Sequence, residues 1–469
     1  MRTVSLWLLI GLWGCGGDAI SIDPTDPTNP TNPTNPTNPT NPTNPTDPVG
    51  LTDLSWRPHP GVETFAYVSW TQDAPGEVTL EFSVDEGEWM VAPPTAGVVG
   101  SNEQLVVGIP YGMQATYRLR SGDTTVDGPD LITIPDPPEL LPQGRIETAR
   151  PDDWLPEGRF LLTSISQVGG GWNSTGPFWA VIFDRRGRPV WTQRTAPGEW
   201  TLYAQVSVSG DHILYDQFGS FFGGGGPRIY RSYLDEVIEE IETPGFHHAF
   251  VELPDGTLAW ASYAHGGGEA LVEKAPGQAD ETILWTCADD WPQGNTGWGC
   301  SSNCVFYNEP TDSYLYSFYS NETVVEIDRA SGSTMWWAGG VGGGYAFDPP
   351  ESHFYWQHGV SYTPAGTLLL STHDYNQPGG RTNFAREYSV DHTNELLTEV
   401  WSYNAEAYAD TNGDTWRLPN GNTLHTLGSA SQVKEVDPDG QTVWHLDFNS
   451  TKLMGRSQWI EDLYTLVKP

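Results

Sequence analysis

Positive charge is scarce in this 469-residue chain: 22 Lys and Arg stand against 60 Asp and Glu. Lysine occurs only as Lys274, Lys434, Lys452 and Lys468. The formal net charge of −38 excludes a nucleic-acid partner, because phosphate recognition needs a basic face. An acidic surface poor in lysine suits an extracellular or saline setting. Helical periodicity is missing as well, with no long stretch carrying apolar residues every three or four positions. Long hydrophobic runs are absent apart from one near the start, Leu6 to Leu12, which is too short for a permanent transmembrane helix.

That short run follows Arg2 and ends in Leu12-Trp13-Gly14-Cys15, the pattern of a lipoprotein signal peptide with Cys15 as the acylated residue. Gly16, rather than Asp, follows the cysteine and points to outer-membrane sorting. The expectation is an outer-membrane or cell-surface lipoprotein, facing periplasm or exterior and touching the membrane only through its N-terminal lipid. Residues 23–48 then repeat Asp-Pro-Thr and Asn-Pro-Thr. Proline at every third position fixes φ and removes the amide donor, so the tract reads as a polyproline II spacer of roughly 80 Å at most.

What the chain does have is glycine (52), proline (38), tryptophan (21) and tyrosine (20), in short alternating runs broken by Gly, Asn-Gly and Asp-Gly turns. This is an all-β composition. Four segments follow: 1–15, signal peptide and lipobox; 16–49, linker; 50–140, a β-sandwich; and 145–469, a β-propeller. The sandwich rests on the alternation of Phe65 to Trp70, Val78 to Ser83 and Ala115 to Arg120, whose size and rhythm resemble an immunoglobulin or fibronectin type III module.

The propeller rests on repetition. A glycine turn before an apolar strand recurs at Gly158, Gly210, Gly256, Gly366 and Gly421, and Ser313 opens a similar strand without glycine. An apolar residue followed by Trp ends most units, at Trp191, Trp285, Trp336, Trp401 and Trp444. Six copies at this spacing fit six four-stranded blades.

The three remaining cysteines, Cys287, Cys300 and Cys304, crowd into one loop-rich segment. Outside the cytoplasm a disulfide is expected, joining Cys287 to Cys300 or Cys304 and leaving one thiol. Zinc is the rival, but the spacing supplies no second ligand pair, so no metal and no cofactor is expected. Asp410, Asn412 and Asp414 alternate like half a calcium loop without its closing Glu, and read as an Asx turn.

The repeats also align two histidines. Eight positions before Gly256 stands His248, and eight before Gly366 stands His358. Both stand just before the central strand of their units, the strand expected to line a propeller's channel, so both imidazoles are expected to converge on that channel.

At these phrases the chain resembles the arylsulfotransferases, the PAPS-independent aryl-sulfate sulfotransferases. The resemblance is carried by Phe246-His247-His248-Ala249 with Leu253-Pro254-Asp255-Gly256, by Trp336-Trp337-Ala338-Gly339-Gly340, and by Gln357-His358. Ala385-Arg386-Glu387-Tyr388 and Leu418-Pro419-Asn420-Gly421-Asn422 continue the series. It implies a six-bladed propeller that moves a sulfuryl group from an aryl sulfate to a phenol through a covalent sulfohistidine at His358, with His248 as a second catalytic histidine. His247, Asn303 and Arg386 are candidate ligand-binding residues.

Two family groups are replaced. Where the family has His-x-Asn this chain has Ser301-Ser302-Asn303, and where it has Arg this chain reads Ser317-Phe318-Tyr319. Arg381 and Arg386 are the candidates for the missing cation. The competing expectations are a propeller without catalysis that binds a phenolic, sulfated or glycan ligand or a partner protein, and a purely structural surface lipoprotein.

Overall fold

The computed structural model describes residues 49–167, 176–219, 226–265, 268–294, 300–375, 380–449 and 452–469. Cys15 and the proline tract of residues 23–48 lie outside them. The described chain is all-β, built of antiparallel sheets with a single four-residue helix, Cys287–Asp290, among the described residues. No described helix is long and apolar enough to cross a membrane.

Residues 49–134 form two sheets around one core. The first pairs Leu51–Pro58, Ala66–Gln72 and Gly100–Val106, and the second is centred on Gly76–Val84 and Gln114–Ser121. Side chains alternate across a strand, so Ala66, Val68 and Trp70 turn inward while Tyr67, Ser69 and Thr71 turn outward. Trp70, Leu80, Phe82, Tyr117 and Leu119 fill the space between the sheets.

From residue 145 onward six sheets follow in chain order. Their second strands are Phe178–Asp184, Ile213–Gly219, Leu258–Ser262, Ser313–Phe318, Leu368–Asp374 and Thr423–Leu427. These are covered on both faces and read as continuous buried runs rather than alternating ones. The turn into Leu258–Ser262 shows why glycine recurs. Gly256 sits at φ +81°, a left-handed conformation costly for a residue with a Cβ. Its amide bonds to the Leu253 carbonyl at 2.9 Å, and Asp255 Oδ1 accepts from the Thr257 amide at 3.0 Å.

Four of the five repeated tryptophans join one sheet to the next, while Trp336 donates to Glu326 within its own sheet. Trp191 Nε1 donates to the Leu234 carbonyl at 2.8 Å, Trp285 Nε1 to Thr334 Oγ1 at 3.2 Å, and Trp401 Nε1 to the Pro438 carbonyl at 3.0 Å. Trp444, in the last of the six sheets, reaches the Arg185 carbonyl of the first at 2.9 Å. Burying each such ring removes roughly 200 Å² from water, about 5 kcal/mol gross at 25 cal/mol per Å². Ion pairs reinforce the same joints: Arg185–Glu435 at 2.7 Å and Arg329–Glu273 at 2.6 Å.

The two ends of this region are tied across it. Arg145–Ala149 pairs with Thr442–Asp447, and Met454–Ile460 pairs antiparallel with Phe160–Ser166. The first sheet is therefore completed by the last strand of the chain.

Candidate functional site

The first strands of the third and fifth sheets, Phe246–Glu252 and Tyr355–Tyr362, both lose ladder register early. The breaks fall between Phe246 and Phe250, and on either side of His358. Both candidate histidines thus stand inside bulged strands, not just before regular ones as the repeat spacing suggested. A bulge re-aims side chains that a regular pleat would send up or down.

The bulge at His358 is firmly built. Trp356 adopts φ +51° and Gly359 φ +57°. A Cβ on Gly359 would stand 2.4 Å from Asp414 Cα, so only glycine lets the neighbouring strand approach. Between them Gln357 is fully buried, and its Nε2 donates to Ser317 Oγ, the Phe318 carbonyl and the Thr323 carbonyl, each at 3.1 Å. Asn303 Nδ2 donates to the Gln357 carbonyl at 2.7 Å.

His358 itself is buried, with Nδ1 3.0 Å from the Trp356 carbonyl. A carbonyl can only accept, so Nδ1 carries the proton and Nε2 keeps its lone pair. Burial first, and the charge of His373 second, press the His358 pKa down to about 3, despite the opposing Trp356 bond. The imidazole is neutral at any ordinary pH, the state a nucleophile requires. Tyr319, at the position where a cation was expected and not found, packs edge-on to His358 with ring centres 5.3 Å apart, and Trp356 lies 4.6 Å from Tyr319.

His248 belongs to the same cluster. Burial is the main force lowering its pKa, followed by His247 and by His358. Its Nδ1 lies 2.5 Å from Nδ1 of His247. His247 stacks on Tyr263 at 4.1 Å and places Nε2 3.3 Å from Glu269 Oε2. Glu269 is fully buried, accepting from the Ser302 amide at 2.8 Å and the Tyr316 hydroxyl at 2.6 Å. Burial works to raise its pKa, but His247 and these contacts outweigh it and hold the carboxyl below its usual value.

Three of the candidates behave differently from expectation or extend it. Asn303 donates from its amide to the Gln357 carbonyl and so supports the bulge, while its Oδ1 is buried without a hydrogen-bond partner. Arg386 is committed to Asp374 at 3.2 Å, to Glu399 at 3.4 Å and to the Glu351 carbonyl at 3.3 Å. Arg381 is exposed, its guanidinium 5.1 Å over Tyr375 and 5.7 Å over Tyr408. Its charge is felt by His373, whose ring lies 6.2 Å from His358 and 5.2 Å from Tyr408, and whose pKa burial lowers to about 4.

Sequence reasoning passed over Glu269, Tyr263, His373, Tyr375 and Tyr408. His373 ends the repeat phrase begun at Gly366, which could have marked it. Nothing near Glu269 distinguishes it from the chain's many other acids.

Cys287 is bonded to Cys300 with Cα atoms 6.2 Å apart, and Cys304 is a buried free thiol that burial pushes up to about 12. That thiol is inert as a nucleophile. Asp410 accepts from Ser429 Oγ at 2.7 Å, and Asp414 is buried against Trp416 and Arg456. No group of three or more possible metal ligands occurs among the described residues.

The family comparison completes this picture. Residues 303–449 match the family model described as arylsulfotransferase (ASST). That segment of the chain is similar to the arylsulfotransferase family. The matched arylsulfotransferase segment holds Asn303, Tyr319, Gln357, His358, His373, Arg381 and Arg386, while His247, His248 and Glu269 precede it. No curated protein matches the chain. Among solved structures, a protein of unknown function from Bacteroides caccae is 16% identical with a TM-score of 0.42, covering 64% of this chain and 99% of that one. TolB from Acinetobacter baumannii is 12% identical with a TM-score of 0.44, covering 74% and 79%. The Cps50 (Swd1) beta-propeller domain of Myceliophteria thermophila is 12% identical with a TM-score of 0.39, covering 66% and 87%.

Proposed function

We propose that this protein transfers a sulfuryl group from an aryl sulfate to a phenol, with His358 as the covalent carrier. The observation that carries the reading is the state of His358: neutral, protonated on Nδ1 by its bond to the Trp356 carbonyl, and carrying its lone pair on Nε2. Splitting the transfer at a histidine turns one hard displacement into two easier ones. Aromatic faces at Tyr319, Trp356, Tyr375 and Tyr408 suit a phenolic ring, and Arg381 is the cation available for the sulfate oxygens.

In this reading the six sheets are the blades of a propeller, closed by Met454–Ile460, with an immunoglobulin-like sandwich before it. Trp444 reaching back to Arg185 supports the ring closure. The chain is held at the outer membrane or cell surface by lipid on Cys15, and Cys15→Ser should move the protein from the membrane fraction to the soluble one.

The deciding experiment is incubation with 4-nitrophenyl sulfate, followed by mass analysis of the peptide containing His358. One added sulfuryl mass, absent in His358→Ala, is the expected result. An unlabelled His358 after prolonged incubation with several aryl sulfates would sink the enzyme reading.

A further inference from the structure

The first strands of different sheets are laced together: the Tyr203 hydroxyl donates to the Asn303 carbonyl at 3.1 Å, and Thr415 Oγ1 to the Gly359 carbonyl at 3.0 Å. Past the histidines these strands open on a cavity of about 460 Å³, a size suited to a small molecule, which the mechanism above does not use. Val251 and Phe306 line it, three residues beyond His248 and Asn303 respectively. At about 3.3 Å per residue that is roughly 10 Å further along the strands. With Val206 and Trp416 they make its walls apolar, and the Phe306 and Trp416 rings stand 6.2 Å apart.

Three lining side chains bring nitrogen donors to these walls. Gln205 is 7% exposed, and its Oε1 accepts from Arg456 Nη1 at 2.8 Å, while its Nε2 donates to none of the described residues. Gln458 Oε1 accepts from the Val206 amide at 3.0 Å, and its Nε2 likewise donates to none of them. The Arg456 guanidinium lies 3.9 Å over the Trp416 ring with Nε 3.6 Å from Asp414 Oδ2, and its Nη2 makes no hydrogen bond to a described residue. A glutamine amide so deeply buried is costly to leave without an acceptor, which marks the cavity as built for one.

The charges around the cavity cancel. Burial raises Asp414 to about 6 against the pull of Arg456, so above that pH its carboxylate balances the guanidinium. Arg417 is paired with Glu387, and Glu252 with Arg231 at 3.3 Å. The other charged residues lining it are Glu157 and Glu461, both exposed, and on a chain of net charge −38 they disfavour an anion. We propose that this cavity binds an uncharged, flat aromatic molecule of one or two rings, whose carbonyl oxygen accepts from Gln205, Gln458 and Arg456. The rings lie between the apolar walls, and the donors fix the ligand's orientation.

Calorimetric titration of the full chain with coumarin tests this. Coumarin is an uncharged pair of fused rings with a lactone carbonyl. It has neither sulfate nor hydroxyl to exchange, so its binding stands or falls apart from the sulfotransferase reading. The wild type should bind it with a Kd below about 1 mM, and about ten-fold more tightly than coumarin-3-carboxylate or naphthalene. Gln205→Met should weaken binding about five-fold or more. Val251→Trp, which fills the cavity from a half-buried position, should weaken it about ten-fold or more. His358→Ala and Tyr375→Ala should leave it unchanged. No binding by the wild type at about 5 mM coumarin overturns the proposal. Equal affinity for naphthalene overturns the role of the donors, and tighter binding of the carboxylate overturns the uncharged ligand class. Binding that persists in both Gln205→Met and Val251→Trp, or that is lost in His358→Ala, places the ligand elsewhere and also overturns it. Should Gln205→Met fold poorly, Val251→Trp alone decides the location.

Discussion

The side-chain amide of Asn303 donates to the main-chain carbonyl of Gln357 at 2.7 Å, one residue before the candidate sulfuryl carrier. An asparagine that the family resemblance marks as a candidate ligand contact also acts on backbone geometry. It helps hold a bulge that Gln357 anchors from inside through its three donated bonds.

Removing that anchor should be costly. Gln357→Ala strands three buried acceptors, and at about 1 kcal/mol for each lost bond the expected destabilisation is about 3 kcal/mol. Urea denaturation would measure it. Asn303→Ala should cost about 1–2 kcal/mol and shift the His358 ring, so loading of His358 should also slow.

The two candidate arginines should separate cleanly. Arg381→Gln should lower kcat/KM for an aryl sulfate about ten-fold or more, with little change in melting temperature, since its cation is exposed beside the site. Arg386→Gln should instead destabilise by about 3 kcal/mol, because it removes the buried guanidinium that pairs with Asp374 and Glu399. Paired thermal melts and initial rates would check both.

The pH profile follows from buried groups of both kinds. Burial lowers the pKa of His358 and His425 to about 3, and of His373 and His445 to about 4. The unfolded chain takes up these protons near pH 6.5, so their contribution is present above that value and is lost as pH falls toward 4. Asp216 works in the opposite sense. Burial raises it to about 7, so its contribution is present at low pH and fades as pH rises from about 4 to 7. Asp216→Asn keeps an oxygen for the Thr201, Leu202 and Tyr203 donors. It should raise the melting temperature by roughly 2 °C at pH 8 and not at pH 5, as calorimetry would show.

Peptide mapping should find Cys287 linked to Cys300 and Cys304 unmodified by iodoacetamide in the native protein. With its ends 13 positions apart in sequence, the bridge should contribute about 3 kcal/mol, measured as the loss in Cys300→Ser.

Much of this was legible beforehand because β-structure writes itself in short periods. Alternation located strands such as Ala66–Gln72, and glycine turns such as Gly256 located the hairpins. Comparing repeats aligned His248 with His358, since equivalent places in a repeating fold share a register. The bulges were not legible, because they arise from what Gln357 and Asn303 reach across three strands. Glu269 was hidden for a similar reason: only tertiary contact with His247 separates it from the other acids. The tryptophans were seen as a rhythm, but their role as donors to the adjoining sheet depends on distances no spacing records.

The pairing of Met454–Ile460 with Phe160–Ser166 has a consequence for how the molecule is made. A chain emerging from the ribosome or crossing a membrane cannot finish its first sheet until nearly all of it has been delivered. Pairings so distant in sequence form slowly, because loop closure precedes any gain from contact. A fragment truncated before Met454 should keep the opening strand Phe160–Ser166 with an unpaired edge, open to neighbouring chains. Biogenesis of this protein is therefore a race between arrival of its final strand and capture of its first.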